Sequence, residues 1–176
     1  MTPVLRPLTL DDAERLAELF VTNREFLAPW EPVRPEWFYS ANGQRRVVAD
    51  SLDQQQEGRM FCQVILDPCG EVAGRINLNN IVRGPFQSAS VGYWLAEAAG
   101  GRGLGTAAVA AMVELAFGEL RLHRLEAGTI PENYRSQAVL RKNGFVQFGY
   151  APAYLQIAGR YTDHLLFQRL ADETQS

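Results

Sequence analysis

A glycine-rich stretch carries the chemistry that this chain is best equipped to perform. Gly100, Gly101, Gly103 and Gly105 fall within six residues, between an apolar segment and a run of small residues typical of a helix. Glycine lets the backbone curl so that successive N–H groups converge, and the start of a helix adds partial positive charge. The stretch is therefore predicted to hold an anion, and a ligand that carries a pyrophosphate fits it.

The neighbouring residues disfavour two common kinds of nucleotide site. A nucleoside triphosphate loop needs a lysine followed by Ser or Thr, and Thr106 and Ala107 stand at that place. A dinucleotide site needs an acid at the end of the next strand, whereas the strand predicted over 124–130 runs into Pro131. A tight turn without any ligand is the alternative that the glycines alone leave open.

Three ordered segments together resemble the Gcn5-related N-acetyltransferase family. They are the strand end Gly92-Tyr93-Trp94-Leu95, the loop 101–105 that opens a helix, and Asn133-Tyr134-Arg135-Ser136 before a helix ending Asn143-Gly144-Phe145. The stretches 26–34, 80–86 and 149–164 make the chain most similar to the RimJ/RimL-type branch, which acetylates protein N-termini. The resemblance implies acetyl-coenzyme A as cosubstrate and direct attack of an amine on its thioester, a reaction that requires neither a covalent enzyme intermediate nor a metal.

The resemblance also implies which residues bind the donor. The backbone of Tyr93, Trp94 and Leu95 would pair with the pantetheine arm. The loop would hold the pyrophosphate through Gly100, Gly101, Arg102, Gly103, Leu104, Gly105 and Thr106, although Gly100 stands where the family often has Gln or Arg. Arg102 either adds a charge-assisted contact or is simply solvated. Asn133 caps the next helix, contacts the amides of the cofactor, or does both.

The resemblance implies that Ser136 is a catalytic residue. Its hydroxyl would donate a hydrogen bond to the departing thiolate. Many members of the wider family use a later tyrosine in the same helix, but Leu140 or a neighbour without a hydroxyl occupies that place here. On the acceptor side, Glu31 is predicted to attract the amine or pass its proton to water, and Trp30 to shape the pocket. A plain surface carboxylate beside a packed tryptophan is the alternative.

Four further polar residues have weaker claims to a role in the reaction. Asn77 and Asn79 share one face of a predicted strand, so they either line the acceptor pocket or satisfy backbone groups at the strand end. His164 is predicted to be packed in a strand and His123 to be exposed, and neither is assigned as a base.

Two cysteines, Cys62 and Cys69, are too few and too oddly spaced for a zinc site and are expected to be free thiols. Neither position has the electropositive surroundings that a nucleophilic thiol needs. The sequence therefore predicts no metal and no chemistry through a thiol.

Composition indicates a single domain over residues 1–176, since a chain of this length with 47% hydrophobic residues can bury one sizeable core. The resemblance implies that this domain is an N-acetyltransferase domain. No window approaches the roughly 20 apolar residues of a membrane span, and the start lacks the apolar region of a signal peptide. A cytoplasmic location is predicted, with no membrane partner. The net charge of −3 argues against direct nucleic-acid binding. A homodimer is left open.

The order of the predicted elements indicates an α/β fold: a mixed, mostly antiparallel sheet with flanking helices and a parallel crossover at the cofactor site. The stretch 23–40 is rich in aromatics and prolines, which favours a rigid loop or short helices. Strands are predicted over 5–8, 60–66, 71–78, 89–95, 124–130, 145–153 and 160–170, with helices starting at Asp11 and over 42–57, 106–119 and 136–142.

Three functions are compatible with this reading. The first is an acetyl-coenzyme A-dependent transferase for the N-terminal amine of a protein that begins with Ala or Ser, such as a ribosomal protein. The second keeps the reaction but acetylates a small amine, such as an amino acid, a polyamine or an antibiotic. The third is a non-catalytic module that binds coenzyme A or associates with the ribosome.

Overall fold

Seven strands form a single sheet in the computed structural model, which describes residues 4–172. The strands are β1 (Leu5–Pro7), β2 (Phe61–Leu66), β3 (Val72–Val82), β4 (Ser88–Leu95), β5 (Arg124–Thr129), β6 (Val146–Ile157) and β7 (Arg160–Leu170). Their order across the sheet is β1-β2-β3-β4-β5-β7-β6. The β4–β5 pair is parallel and the other five pairs are antiparallel. The predicted fold class is therefore confirmed.

Five α-helices accompany the sheet in the described part of the chain. They are α1 (Ala13–Thr22), α2 (Arg24–Leu27), α3 (Ala41–Gln56), α4 (Leu104–Glu114) and α5 (Tyr134–Lys142). Short 3-10 turns cover Leu10–Asp12, Glu36–Tyr39 and Glu97–Ala99, and a π-helical turn over Leu115–Glu119 continues α4. None of the helices described is long and apolar enough to cross a membrane.

Alternation along the strands divides the apolar residues between the two faces of the sheet. One face packs against α4 and α5 in the larger core, whose buried members include Ile76, Leu78, Met112, Leu125, Leu140 and Phe167. The other face packs against α1 and α3 around Leu16, Val48, Cys62 and Val64. Consecutive residues of β4 therefore lie in different surroundings, which matters for the site below.

The observed element boundaries differ from the predicted ones where tertiary contacts decide them. Helix α1 begins at Ala13 because Asp12 is held by Arg6 at 2.6 Å and accepts the Thr9 N–H at 2.8 Å. Strands β3 and β6 run longer than predicted because bulges interrupt their register without ending them. Strand β7 lies between β5 and β6, a placement that the linear order of elements did not predict.

The cysteines and histidines lie where the sequence predicted. Cys62 is buried and Cys69 exposed, and both thiols are free. The expectation that Cys62 lacks electropositive surroundings is wrong, because Arg75 Nη2 lies 3.6 Å from its Sγ. Burial nevertheless raises the pKa of the Cys62 thiol, against the opposing effect of Arg75. His164 is buried, with Nδ1 3.1 Å from the Thr162 carbonyl oxygen, and His123 is exposed.

Candidate active site

The sheet opens between β4 and β5. The two strands pair only through Ser88–Ser90 and Arg124–Glu126, after which β5 continues alongside β7 alone. On that side, the stretch 91–95 of β4 has no strand partner within residues 4–172. Its outward N–H and C=O groups form an exposed edge, which an extended ligand can pair with.

Two of the three residues predicted to pair with the ligand direct their backbone towards this gap. The Ala96 N–H donates to the Ala73 carbonyl at 2.8 Å, and a Cβ on Gly74 would lie 2.2 Å from the Trp94 carbonyl oxygen. The backbone groups of Trp94 and Ala96 thus point to β3. Because these groups alternate along a strand, those of Tyr93 and Leu95 face the gap. Of the three residues predicted to pair with the pantetheine arm, Trp94 therefore directs its backbone groups away from the gap.

The glycine loop lies at the end of this exposed edge and forms an open cradle. Gly101 and Gly103 have φ angles of +76° and +83°, and a Cβ added at either would meet nothing within 4 Å. Gly103 caps α4 without any side-chain hydrogen bond. The bond from the Ala107 N–H to the Gly103 carbonyl, 3.0 Å, begins the helical ladder, so the N–H groups of the preceding three residues have no helical partner. This arrangement suits an anion.

The other polar groups of the loop are engaged locally. The Gly100 N–H donates to the Glu97 carbonyl at 2.9 Å, within a short 3-10 turn. The guanidinium of Arg102 is exposed and donates to the Ala98 carbonyl at 2.6 Å. This contact favours the solvated alternative for Arg102, and it leaves the backbone as the main contributor to the cradle.

Helices α4 and α5 are held together beside the cradle. Gly105 is buried, and a Cβ there would lie 3.2 Å from Leu95 and 3.7 Å from Val139. A side chain at this position would therefore crowd the end of β4, and the leucine would have to shift by a few tenths of an ångström to admit it. The buried Asn143 amide donates to the Thr106 carbonyl at 3.1 Å, which ties the end of α5 to the first turn of α4. The Asn-Gly-Phe motif therefore has a structural role.

Two residues predicted to bind the acetyl donor meet at the start of α5. Asn133 Oδ1 accepts the Ser136 N–H at 3.0 Å, which is the predicted cap. Its Nδ2 has no hydrogen-bond partner within residues 4–172 and stays available to a ligand. The Ser136 hydroxyl lies 3.0 Å from the Tyr93 hydroxyl. Burial raises the pKa of the Tyr93 phenol, and the hydrogen bond with Ser136 only partly offsets this.

A second cleft, of about 320 Å³, lies on the side of α1 and α2. Glu31 and Arg34 line it and form an ion pair at 3.1 Å, and Arg34 Cζ lies 4.8 Å from the centre of the Phe38 ring. The hairpin between β6 and β7 closes one side, where the Ala158 N–H donates to the Glu31 carbonyl at 3.0 Å. Aromatic walls with one ionic pair can hold an organic amine.

None of the other predicted acceptor residues lines this cleft. Trp30 is exposed, and Pro32 and Val33 occupy the wall in its place. Asn77 lies on β3, where its Oδ1 accepts from Arg75 Nε at 2.9 Å. Because a guanidinium only donates, this contact fixes the Asn77 amide with its NH2 group directed away from Arg75. Asn79 lies on the same face of the strand.

The two candidate half-sites lie on opposite faces of β4. The Tyr93 ring packs towards the larger core, and its hydroxyl contacts Ser136. The adjacent Trp94 ring lies 4.3 Å, centre to centre, from Phe20, which lines the second cleft. The structure therefore does not bring Glu31 against Ser136. The gap between β4 and β5 opens beside Tyr93 and Trp94, between these two faces of the sheet.

Comparison with known proteins decides the family. The model of the acetyltransferase (GNAT) domain matches residues 4–146. The chain belongs to the GNAT acetyltransferase family. It is an N-acetyltransferase, as the resemblance of its motifs implied.

Individual GNAT relatives match nearly the whole chain. The probable N-acetyltransferase YjcK of Bacillus subtilis is 35% identical over 93% of this chain and 91% of its own. The [Ribosomal protein uS5]-alanine N-acetyltransferase of Escherichia coli K12 is 36% identical over 88% of this chain and 80% of its own. The structure of Mycobacterium smegmatis RimJ in complex with CoA-disulfide superposes with a TM-score of 0.92 at 32% identity, covering 98% of this chain and 83% of that one.

Several residues of this GNAT site were not assigned from the sequence. Arg34 stood inside a stretch that carried the resemblance but received no role, and nothing in its spacing indicated an ion pair with Glu31. The side chain of Tyr93 was missed because its partner is 43 residues away. Within the described residues, no cluster of three His, Cys, Asp or Glu side chains could hold a metal ion.

Proposed function

We propose that this chain uses acetyl-coenzyme A to acetylate the N-terminal amine of a protein that begins with Ala or Ser, such as a ribosomal protein. The observation that carries the donor side is the exposed edge of β4 leading to the glycine cradle. The M. smegmatis relative is described in complex with a coenzyme A disulfide, which supports the same class of ligand here.

The residues present fit such a donor. The open space at Gly101 and Gly103, together with the uncapped start of α4, would take the pyrophosphate. The backbone groups of Tyr93 and Leu95 would take the amides of the pantetheine arm, and Asn133 Nδ2 would take another of its polar groups. Bound there, acetyl-coenzyme A supplies an acetyl group activated as a thioester.

The chemistry then requires only a few groups of this chain. A neutral amine attacks the acetyl carbon through the gap, the new C–N bond forms, and the C–S bond breaks with its electron pair on sulfur. A backbone N–H on the exposed edge of β4 stabilises the negative charge that develops on the acetyl oxygen. The Ser136 hydroxyl donates a hydrogen bond to the departing sulfur, and the proton of the amine leaves to water or to Glu31.

The acceptor cleft favours a peptide over a simple amine. Arg34 Nε is buried and lacks a hydrogen-bond partner within residues 4–172. An unsatisfied buried donor is costly, and a shift of the Arg34 side chain would let a peptide carbonyl in the cleft satisfy it. Glu31 would attract the protonated terminal amine, and the amides of Asn77 and Asn79 would contact the chain that follows. Trp30 would contact the acceptor only at the rim.

The names of the relatives support a protein acceptor. The E. coli relative is named for the alanine of ribosomal protein uS5, and a Vibrio fischeri structure, 34% identical with a TM-score of 0.90, is called a ribosomal-protein-S5-alanine acetyltransferase. Acetyl transfer to peptides beginning with Ala, Ser, Gly or Leu, and to a panel of small amines, tests the proposal by product mass and thiol release. Transfer to small amines alone would identify a metabolite enzyme, and donor binding without any product a non-catalytic module.

Other expectations remain predictions. They are a single domain over residues 1–176, a cytoplasmic location, the absence of nucleic-acid and membrane partners, the absence of a metal, and a homodimer. Size-exclusion chromatography with light scattering would measure the last of these.

A further inference from the structure

One hydrogen bond joins the two elements that border the donor groove. Tyr93 lies on β4 and Ser136 in the first turn of α5, and their hydroxyl oxygens are 3.0 Å apart. In the part of the chain that the structure describes, neither hydroxyl has another side-chain or backbone partner. The tyrosine ring packs against the larger core, which restricts the positions of its hydroxyl.

The chemistry of the two groups determines the direction of this hydrogen bond. Each hydroxyl has one hydrogen, so only one of them lies between the oxygens. A phenol, with an ordinary pKa of about 10, is a far stronger acid than an aliphatic hydroxyl and is the better donor. With Tyr93 as the donor, the hydrogen of Ser136 is free to point elsewhere. Because burial raises the pKa of the phenol, Tyr93 keeps its proton at neutral pH.

We propose that Tyr93 is a positioning residue, whose phenol directs the Ser136 hydroxyl hydrogen to the sulfur of the leaving thiolate. The inference rests on the role proposed for Ser136. Since a thiol has a pKa of about 8.5, the sulfur departs as a thiolate and is stabilised by a hydrogen bond without taking a proton from serine. No proton is transferred through Tyr93. Its donated hydrogen bond polarises the serine hydroxyl and so strengthens the contact with sulfur.

A double-mutant cycle tests this coupling. Ser136→Ala is expected to lower kcat about 30-fold, since it removes a hydrogen bond to a charged sulfur, and Tyr93→Phe about tenfold, since it removes a hydrogen bond between neutral groups. Each variant should change the Kd of acetyl-coenzyme A less than twofold. In the Ser136→Ala background, Tyr93→Phe should change kcat less than twofold. Matched controls are Tyr161→Phe, at an exposed tyrosine, and Ser51→Ala, in helix α3, which should leave kcat unchanged.

Three results would overturn the inference. Losses that multiply in the double variant would mean that Tyr93 acts independently of Ser136. A Tyr93→Phe defect beside a fully active Ser136→Ala enzyme would make the phenol itself the donor to sulfur. A Tyr93→Phe enzyme with unchanged kcat would remove the role of the phenol. In each of these cases the chain remains an N-acetyltransferase, whereas absence of transfer by the unmodified protein would contradict the proposed function itself.

A second measurement follows the proton on the phenol directly. Replacement of Tyr93 by a difluorinated tyrosine keeps the ring and the hydroxyl but makes the phenol more acidic. Once ionised, it accepts the Ser136 hydrogen and takes it from the sulfur, so kcat should decline at a lower pH than in the unmodified protein. The shift should vanish in the Ser136→Ala background. An unchanged pH profile would contradict the proposal even if Tyr93→Phe failed to fold.

Discussion

Replacing Gly103 with alanine is predicted to weaken binding of the pyrophosphate-bearing donor while leaving the fold intact. Gly103 has a φ of +83° and open space where a Cβ would stand. Gly58, just beyond the end of α3, has a φ of +73° and the same open space. The two substitutions therefore impose the same backbone strain, but only the one at Gly103 places a methyl group in the proposed cradle.

The expected magnitudes follow from this comparison. An L-residue in the left-handed conformation costs about 1 kcal/mol, so Gly103→Ala and Gly58→Ala should lower the free energy of unfolding by similar amounts. A methyl group that displaces phosphate from one backbone N–H removes a hydrogen bond to a charged group, worth about 2 kcal/mol. That loss raises the Kd of coenzyme A about 30-fold for Gly103→Ala. Gly58→Ala should leave this Kd within a factor of two.

The assay combines calorimetric binding of coenzyme A with kcat/KM for two donors. S-acetylpantetheine carries the thioester arm without the pyrophosphate, so Gly103→Ala should impair acetyl-coenzyme A and leave acetylpantetheine almost unaffected. Equal losses for both donors would place the defect in the arm or in the fold, and an unchanged Kd for coenzyme A would refute the cradle.

Three further changes test other parts of the site and the fold. Arg34→Lys keeps the charge but removes the buried Nε. In steady-state kinetics, KM for a peptide acceptor should therefore rise about tenfold, and KM for a small amine should rise less. Equal rises in the two KM values would exclude a contact between Arg34 and a peptide carbonyl. Asn143→Ala removes the link between α5 and α4 and should cost about 2 kcal/mol in urea unfolding, with weaker coenzyme A binding, whereas full stability would mean that the link is dispensable. Burial raises the pKa of Asp12, but hydrogen bonds from Arg6 and Thr9 outweigh this effect and hold the pKa below its ordinary value. The Asp12 carboxylate therefore stabilises the folded protein above about pH 4, and this contribution is lost as pH falls. The stability gap between the unmodified protein and Asp12→Asn should therefore shrink from pH 7 to pH 3, and a constant gap would contradict this assignment.

The glycine loop shows what could be predicted from the sequence. Its conformation requires residues that adopt positive φ and have no side chain to fill the cradle. Gly101 and Gly103 meet this requirement because they are glycines, and a residue's identity is read directly from the sequence. The family resemblance placed Asn133 and Ser136 at the start of a helix, and the cap between them is likewise local. The fold class followed from the order of strands and helices. The loop and α4 lie between β4 and β5 in the chain, and this strand–helix–strand order predicted the parallel pair.

The parts that could not be predicted depend on tertiary packing. The contact between Tyr93 and Ser136 exists because the first turn of α5 packs close to the Tyr93 side chain of β4, which no periodicity reveals. Insertion of β7 between β5 and β6 reflects sheet pairing over a long sequence separation. The backbone groups of Trp94 point to β3 because the register of the two strands decides which residues of β4 face its neighbour. A shift of one residue in that register would direct them to the gap instead.

The central claim is that this chain transfers an acetyl group to the N-terminal amine of a protein. The most direct measurement incubates it with acetyl-coenzyme A and two peptides of identical sequence that begin with alanine and contain one lysine, one with a free and one with a blocked N-terminus. We expect one acetyl group on the α-amine of the free peptide, one equivalent of released coenzyme A, and no product from the blocked peptide. Acetylation of the lysine in both peptides, or transfer confined to small amines, would contradict the account.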